Sequence, residues 1–453
     1  MNSLPVLQFR NLTRNRSAKS WRLRAQLFTA LAIGSLAALA APAQITPAQA
    51  DRALKSVMTN ASFARAVTAL DAGHGRWVAD IITLTEIPAP PFKEEARARA
   101  YFEMFKKRNL VDVEIDTEGN VLGLRKGIGG GKMIIVSAHL DTVFPAGTDV
   151  KVRREGDKLR APGVGDDSSG LATLLQYIDA LDAARINTRD DILFVGTVGE
   201  EGLGDLRGVR HLLTKSKYKG RATAFFSLDG SGGDTITTGG AGSKRYRISF
   251  KGPGGHSYSA FGIVNPMTAM SQAVVDLYKV TVPKSVKTTY SASVVSGGTS
   301  VNSIPDEVRM DFDMRSESAA ELAKIEQKFL TIIDHAVQAE NAARSTKDGS
   351  IRAEKKVIGD RPAGQTAASS DVVRFADAAY RAEGIKLKFQ SSSTDANLPM
   401  SLGIPAVTMS RVVNGGRAHA LDEWIGIEKA PNVRLRKIGL ATIIATAGMQ
   451  PDQ

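Results

Sequence analysis

Three apolar runs constrain the architecture most. Lys132–Ala138 (KMIIVSA), Asp191–Val198 (DILFVGTV) and Ala222–Leu228 (ATAFFSL) are continuous, not alternating, and have the length of strands. Strands that read this way are buried on both faces, the condition of a parallel sheet covered by helices. Between the first two lies Ser169–Leu181, where Leu171, Leu174, Leu175, Ile178 and Leu181 recur at helical spacing. Strand and helix alternate, which predicts an α/β layer with a mixed, mostly parallel sheet flanked by helices.

Each run is followed closely by groups that hold cations. His139-Leu140-Asp141 follows the first, Glu200-Glu201 the second and Asp229 the third. Asp166-Asp167-Ser168-Ser169-Gly170 opens the helical segment, and His419 lies late in Gly415-Gly416-Arg417-Ala418-His419. The carboxyl edge of such a sheet is where open α/β folds place their sites. Taken singly, each has an ordinary reading: a loop hydrogen bond, a helix cap, a solvated turn. Adjacent acids nevertheless repel one another unless something positive sits between them, and two Glu suit the end of a buried strand poorly. Together they supply the oxygen and imidazole donors that divalent ions take. The chain has no cysteine, so thiolate sites and disulfides are excluded.

At 453 residues the chain calls for more than one core. Ala61–Leu84 and Phe92–Lys107 read as helices separated by Pro88-Ala89-Pro90-Pro91. Gly230–Gly242, rich in Gly, Thr and Ser, reads as a linker. A new rhythm follows: strand 245–251, helix 266–280, strands 288–296 and 307–315, helix 317–343 and a closing strand 350–357. That β-α-β-β-α-β order suits a ferredoxin-like module. The α/β rhythm then resumes with helix 371–382, strand 404–410 and helix 432–449. The expected division is a signal segment 1–50, a first catalytic part 51–242, an inserted module 243–357 and a second catalytic part 358–453.

The formal charge of +12 is concentrated at the N-terminus. Arg10, Arg14, Arg16, Lys19, Arg22 and Arg24 face no acid within residues 1–50; without these six, 53 basic residues meet 47 acidic ones, a net +6. No basic-aromatic stripe remains for nucleic acid. The basic stretch leads into apolar Leu27–Leu39 and then Ala41-Pro42-Ala43 and Ala48-Gln49-Ala50, both of A-x-A form. A cleaved signal peptide and a periplasmic or secreted protein are expected, with an uncleaved anchor as the alternative. Gly127–Lys132 lacks the spacing and the Ser/Thr of a phosphate loop and reads as a turn.

With these residues assembled, the chain resembles the co-catalytic zinc metallopeptidase family of peptidase T, carboxypeptidase G, aminoacylase and succinyl-diaminopimelate desuccinylase over roughly residues 75–450. The matching segments are SAHLDTV (137–143), GVGDDSSG (163–170), GEEGLG (199–204), GPGGHS (252–257), GGTSVNSIP (297–305), DMR (313–315) and RAH (417–419). The resemblance implies a zinc-exopeptidase-like fold and two divalent ions, zinc with cobalt or manganese as alternatives. It implies that His139 and Asp229 hold one ion, Glu201 and His419 the other, and that Asp166 bridges them. Asp141 would orient His139, and Glu200 would be the general base and acid. A cis Asp166–Asp167 bond is implied too. In the inserted module His256 would reach the scissile carbonyl, often from a partner subunit, while Asn302 and Arg315 would grip the substrate. Ser168 departs from the lysine often found there; His74, His211 and His335 match no motif. The expected activity is hydrolysis of small peptides by an exopeptidase. N-acyl-amino-acid deacylation or carboxypeptidase action is the alternative, and a homodimer through the module is expected. An inactive binding module on this scaffold would have lost ligands or the base, and this chain keeps them.

Overall fold

The structure, a computed structural model, describes residues 44–450. Its main sheet has nine strands. Across it run Val111–Ile115, Val121–Arg125, Asp191–Thr197, Met133–His139, Ala222–Ser231, Ala406–Val412, Thr235–Gly240 and Gly364–Gln365, with Lys388–Ser392 also paired to Thr235–Gly240. The four central strands, from Asp191–Thr197 to Ala406–Val412, are parallel. Their continuous apolar character has a direct cause, since alternate side chains enter different cores. Ile134, Val136, Phe194 and Phe226 pack with Leu171, Leu174 and Ile178 of the helix Ser168–Ala183. Met133, Ile135, Leu193 and Phe225 pack on the other face with Val209 and Leu212 of the helix Arg207–Thr214. Each such side chain contributes roughly 1.5–3 kcal/mol by burial.

The second sheet, ordered Thr288–Gly297, Glu307–Ser316, Gly242–Lys251 and Arg352–Arg361, is wholly antiparallel. Helices Pro266–Leu277 and Ala319–Ala343 cover one face, where Ile248, Phe250, Val308 and Phe312 meet Phe329 and Ile333. The βαββαβ order expected from the sequence is present, with its bounding strands at 242–251 and 352–361.

Two expectations need correction. The segment read as a linker contains the strand Thr235–Gly240 of the main sheet. Its β-branched Thr235-Ile236-Thr237-Thr238 run favours a strand, and Ile236 and Thr237 are buried; the flanking glycines masked this signal. The helix expected over 61–84 is two, Ala61–Ala72 and His74–Thr85, parted at Gly73.

Residues 1–43 of the expected signal segment lie outside the described residues. Residues 44–50 belong to the folded body. Thr46 caps the helix Pro47–Met58, its hydroxyl accepting from Gln49 N at 3.2 Å while Gln49 Oε1 accepts from Thr46 N at 2.6 Å; Ala50 is fully buried. Among the described residues, no helix is long and apolar enough to cross a membrane.

Candidate metal centre

The five expected donors converge at the carboxyl edge of the parallel strands. His139 ends its strand, and its Nε2 lies 3.0 Å from Asp166 Oδ1 and 3.7 Å from Asp229 Oδ1. His419 Nε2 lies 2.8 Å from Glu201 Oε1 and 3.3 Å from Asp166 Oδ2. Asp166 thus faces one imidazole with each carboxylate oxygen. Three donor sets each gather within 4.8 Å: His139–Asp166–Asp229 and Asp166–Glu201–His419, which share Asp166, and His139–Glu200–Glu201. The Asp166–Asp167 peptide bond is cis, as the resemblance implies.

The surrounding residues explain why these side chains point inward. Gly199 turns out of its strand at φ +63°, a conformation open to glycine, and delivers Glu200-Glu201 to the site. The Asp141 carboxylate receives that turn, Oδ1 accepting from Glu200 N at 3.0 Å and Oδ2 from Glu201 N at 2.8 Å. His139 Nδ1 lies 3.0 Å from the Asp141 carbonyl and 3.7 Å from its carboxylate. The main-chain oxygen is the nearer partner of Nδ1, and with the carboxylate it directs Nε2 to the site; the carboxylate also fixes the glutamates. Asp167 Oδ2 accepts from His139 N at 2.9 Å; Gly170 permits this because a side chain there would collide with the Asp167 carboxylate and the Leu228 carbonyl.

Three anchoring residues were missed in the sequence. Glu423 is buried, and its carboxylate accepts from Gly163 N (2.8 Å), Gly165 N (3.0 Å) and Asp166 N (2.8 Å). Arg411 lies among three aspartates, with Nη1 2.6 Å from Asp229 Oδ1, Nε 3.4 Å from Asp167 and Nη2 3.6 Å from Asp166. Arg361 ends the last strand of the inserted module; its Nη1 is 3.0 Å from Glu200 Oε1 and its Nη2 donates to the Glu200 carbonyl. Arg411 did leave a signal, a charge near the end of the strand Ala406–Val412, where a buried guanidinium calls for an anionic partner. Glu423 and Arg361 left none.

The electrostatics describe a site that attracts cations. Burial acts most strongly on His139 and opposes its charge, yet Asp141, Asp166 and Asp229 outweigh it and hold the imidazole well above its usual range. Asp166 and Glu201 push His419 up to about 10. Burial also opposes ionisation of Asp166, but Arg411 and the two histidines keep its carboxyl well below the usual range. Glu200 is raised well above the ordinary glutamate, first by burial and then by Glu201, against the pull of Arg361. Carboxylates that protonate their own histidines lack positive charge, so the donor set fits divalent ions.

Arg315 lines the same cavity of about 390 Å³, as do Glu200, Asp229 and His419. His256 and Asn302 do not line it. They lie together on the module, exposed, with Ser257 N donating to the Asn302 carbonyl at 2.9 Å and His256 paired with Ser303. His74 is a packing residue, bonded to the Ile427 carbonyl and to Arg436.

A parallel sheet and the loops at its carboxyl edge, which bring two imidazoles and a set of carboxylates to one cleft, define a metallohydrolase architecture. The profile of peptidase family M20/M25/M40 matches residues 135–434, and the chain belongs to that family of metallopeptidases and amidohydrolases. Carboxypeptidase G2 of Pseudomonas sp. (strain RS-16) is 26% identical over 199 residues, which span 43% of this chain and 47% of that protein, about half its length. Succinyl-diaminopimelate desuccinylase of Corynebacterium glutamicum is 26% identical over 358 residues, 77% of this chain and 92% of the relative. The crystal structure of aminopeptidase PepT from Bacillus cereus ATCC 10987 superposes with a TM-score of 0.65 at 22% identity, covering 83% of this chain and 99% of that one. The last likeness is one of fold.

Proposed function

We propose that this chain is an exported, two-metal amide hydrolase acting on small peptides or N-acyl amino acids. The observation that carries the reading is Asp166, whose two oxygens face His139 at 3.0 Å and His419 at 3.3 Å. His139 and Asp229 would hold one ion, Glu201 and His419 the other, and Asp166 both. Zinc is the expected metal, with cobalt or manganese able to replace it. Bound there, the ions would supply a water nucleophile usable at neutral pH and polarise the scissile carbonyl.

The protein side follows from the same geometry. Glu200 takes a proton from water and returns it to the departing amine. Its raised proton affinity suits the first half of that cycle, and Arg361 keeps the carboxylate turned toward the cleft. Asp141 holds the Glu200–Glu201 turn in register with His139. Arg315 offers a guanidinium to a substrate carboxylate. His256 and Asn302 would complete the site from a second copy of the chain, a reading supported by their exposure on the module away from their own cleft.

The leader reading favours cleavage after Ala43, which keeps the Thr46–Gln49 cap; cleavage after Ala50 would remove the first turn of that helix. Intact-mass measurement of protein recovered from the periplasm or medium tests this. The activity is tested by mass-spectrometric product analysis with a mixed library of di- and tripeptides and acyl amino acids, with and without chelator. Chelator-sensitive cleavage restored by zinc, cobalt or manganese is expected, and a metal-loaded protein that cleaves nothing in the library overturns the reading.

A further inference from the structure

The cleft wall facing the metal donors has an unusual chemistry. Apart from those donors and Glu200, its side chains are arginines, small hydroxyl residues, an alanine and one branched aliphatic, Val143. Among the described residues that line it, none is aromatic and none is a large aliphatic. Arg245 and Arg315 come from neighbouring strands of the inserted module, and both use Nε on the single carboxylate of Asp313, at 3.0 and 2.7 Å. Arg245 Nη1 also donates to the Gly202 carbonyl at 2.8 Å, on the turn that carries Glu201. Arg361 stands beside them on Glu200. Two guanidiniums that share one carboxylate leave a positive charge uncompensated. Burial and the like charge of Arg361 together push the Arg245 guanidinium below its ordinary value, despite Asp313. Crowded cations in a small polar cleft are a preformed anion site. Arg411 and Arg361 are not binding groups of it, being engaged by the aspartates and by Glu200 respectively.

We propose that Arg245 is a specificity residue which, with Arg315, selects small amides bearing two carboxylates: an acidic dipeptide or a dicarboxylic acyl amino acid. One carboxylate meets Arg315 and the other meets Arg245. The proposal rests on the hydrolase reading above and names its substrate class.

The test compares kcat/KM of the zinc-loaded enzyme for Ala-Glu, Glu-Ala and N-succinyl-alanine with that for Ala-Gln and Ala-Leu. At least one diacid should exceed Ala-Gln by about tenfold or more, the scale of a hydrogen-bonded charge. The preferred diacid shows whether the second carboxylate belongs to the amine side or the acyl side. In Arg245→Met the diacid preference should fall to near one; in Arg245→Lys, which keeps the charge but loses the fork, it should be intermediate. Thermal stabilisation by glutarate relative to butyrate, measured with and without metal, gives a second readout and should be lost in Arg245→Met. If Ala-Gln or Ala-Leu is cleaved as well as all three diacids, this proposal fails and the hydrolase reading stands. If no amide is cleaved, the hydrolase reading fails, and the glutarate shift alone decides whether the cationic wall binds diacids. Should Arg245→Met not fold, the Lys variant and the substrate ratios still decide.

Discussion

Glu423 holds Asp166 by its own backbone: Glu423 Oε1 accepts from Asp166 N at 2.8 Å. The same carboxylate takes Gly163 N and Gly165 N, and it lies four residues after His419. One buried side chain therefore ties the loop of the shared donor to the loop of a donor from the far end of the sequence. Positive φ at Arg417 and His419 (64° and 66°) marks that second loop as sterically demanding, a conformation that needs such support. Glu423→Gln, nearly the same shape, turns an N–H toward backbone donors. We expect metal affinity and turnover to fall about 10–100-fold, as for other residues that orient ligands. Zinc content after graded chelation, with kcat measured on fully loaded protein, separates affinity from chemistry; unchanged affinity would remove Glu423 from this role.

Arg411 should matter most when the metals are gone. It is the nearest fixed cation to Asp229 and also lies close to Asp166 and Asp167. Arg411→Met leaves buried carboxylates unpaired, which costs about 3–5 kcal/mol. Divalent ions would supply replacement charge. The loss in urea denaturation should therefore be large in chelated protein and markedly smaller in zinc-loaded protein, and an equal loss in both would contradict this account.

How much of this was legible in the sequence depends on the kind of signal. Met133–His139 declared itself because both faces of the strand are buried, and its terminal His stood out against an apolar run. Thr235–Gly240 was hidden because glycines on either side mimic a linker, while Ile236 and Thr237 acquire their meaning only from strands 388–392 and 406–412, far along the chain. The same holds at the site. Donors were readable from residue type and from the resemblance, whereas Glu423 and Arg361 act through backbone partners more than 150 residues away. Asp141 shows the intermediate case: its place beside His139 was readable, but its hold on the backbone of Glu200 and Glu201 was not.

Glu200→Gln separates chemistry from binding. The glutamine fills the same space and can still accept from Arg361, but it cannot take a proton. Turnover should fall by about 10²–10⁴-fold. Glu200 also gathers with His139 and Glu201, but Arg361 already engages its carboxylate and the two sets built on Asp166 are complete without it, so metal content should be unchanged. Full activity would refute the assigned base, and loss of a metal would make Glu200 a ligand.

The pH behaviour of the metal-free protein follows from His419. Its folded pKa of about 10 exceeds the ordinary 6.5, so the folded state holds a proton that the unfolded chain releases. The resulting stabilisation is full below pH 6.5 and disappears as pH rises toward 10. The melting temperature of chelated protein should decline across that window, and less steeply in His419→Ala. Zinc must displace the same proton, so its apparent affinity should rise with pH over the range. His419→Ala should also bind one metal fewer, which metal analysis would read directly.

A second copy of the chain would pair at the exposed face around His256. His256 and Asn302 are exposed beside Tyr258, Phe261 and Val301, whose apolar side chains are almost wholly open to solvent, and Thr288–Gly297 is an edge strand of the module carrying exposed Val294 and Val295. Apolar groups gathered at one end of a module and next to an unpaired strand edge mark an interaction surface. If two copies pair there, Phe261→Glu with Val301→Glu should convert a dimer to a monomer in light scattering and also reduce turnover. His256→Ala should leave the mass at that of a dimer yet lower kcat by about 10²–10³-fold, the scale of a lost oxyanion donor. An active monomer with an indispensable His256 would mean that the module folds onto its own cleft, whereas a monomer indifferent to His256 would remove this residue from the chemistry.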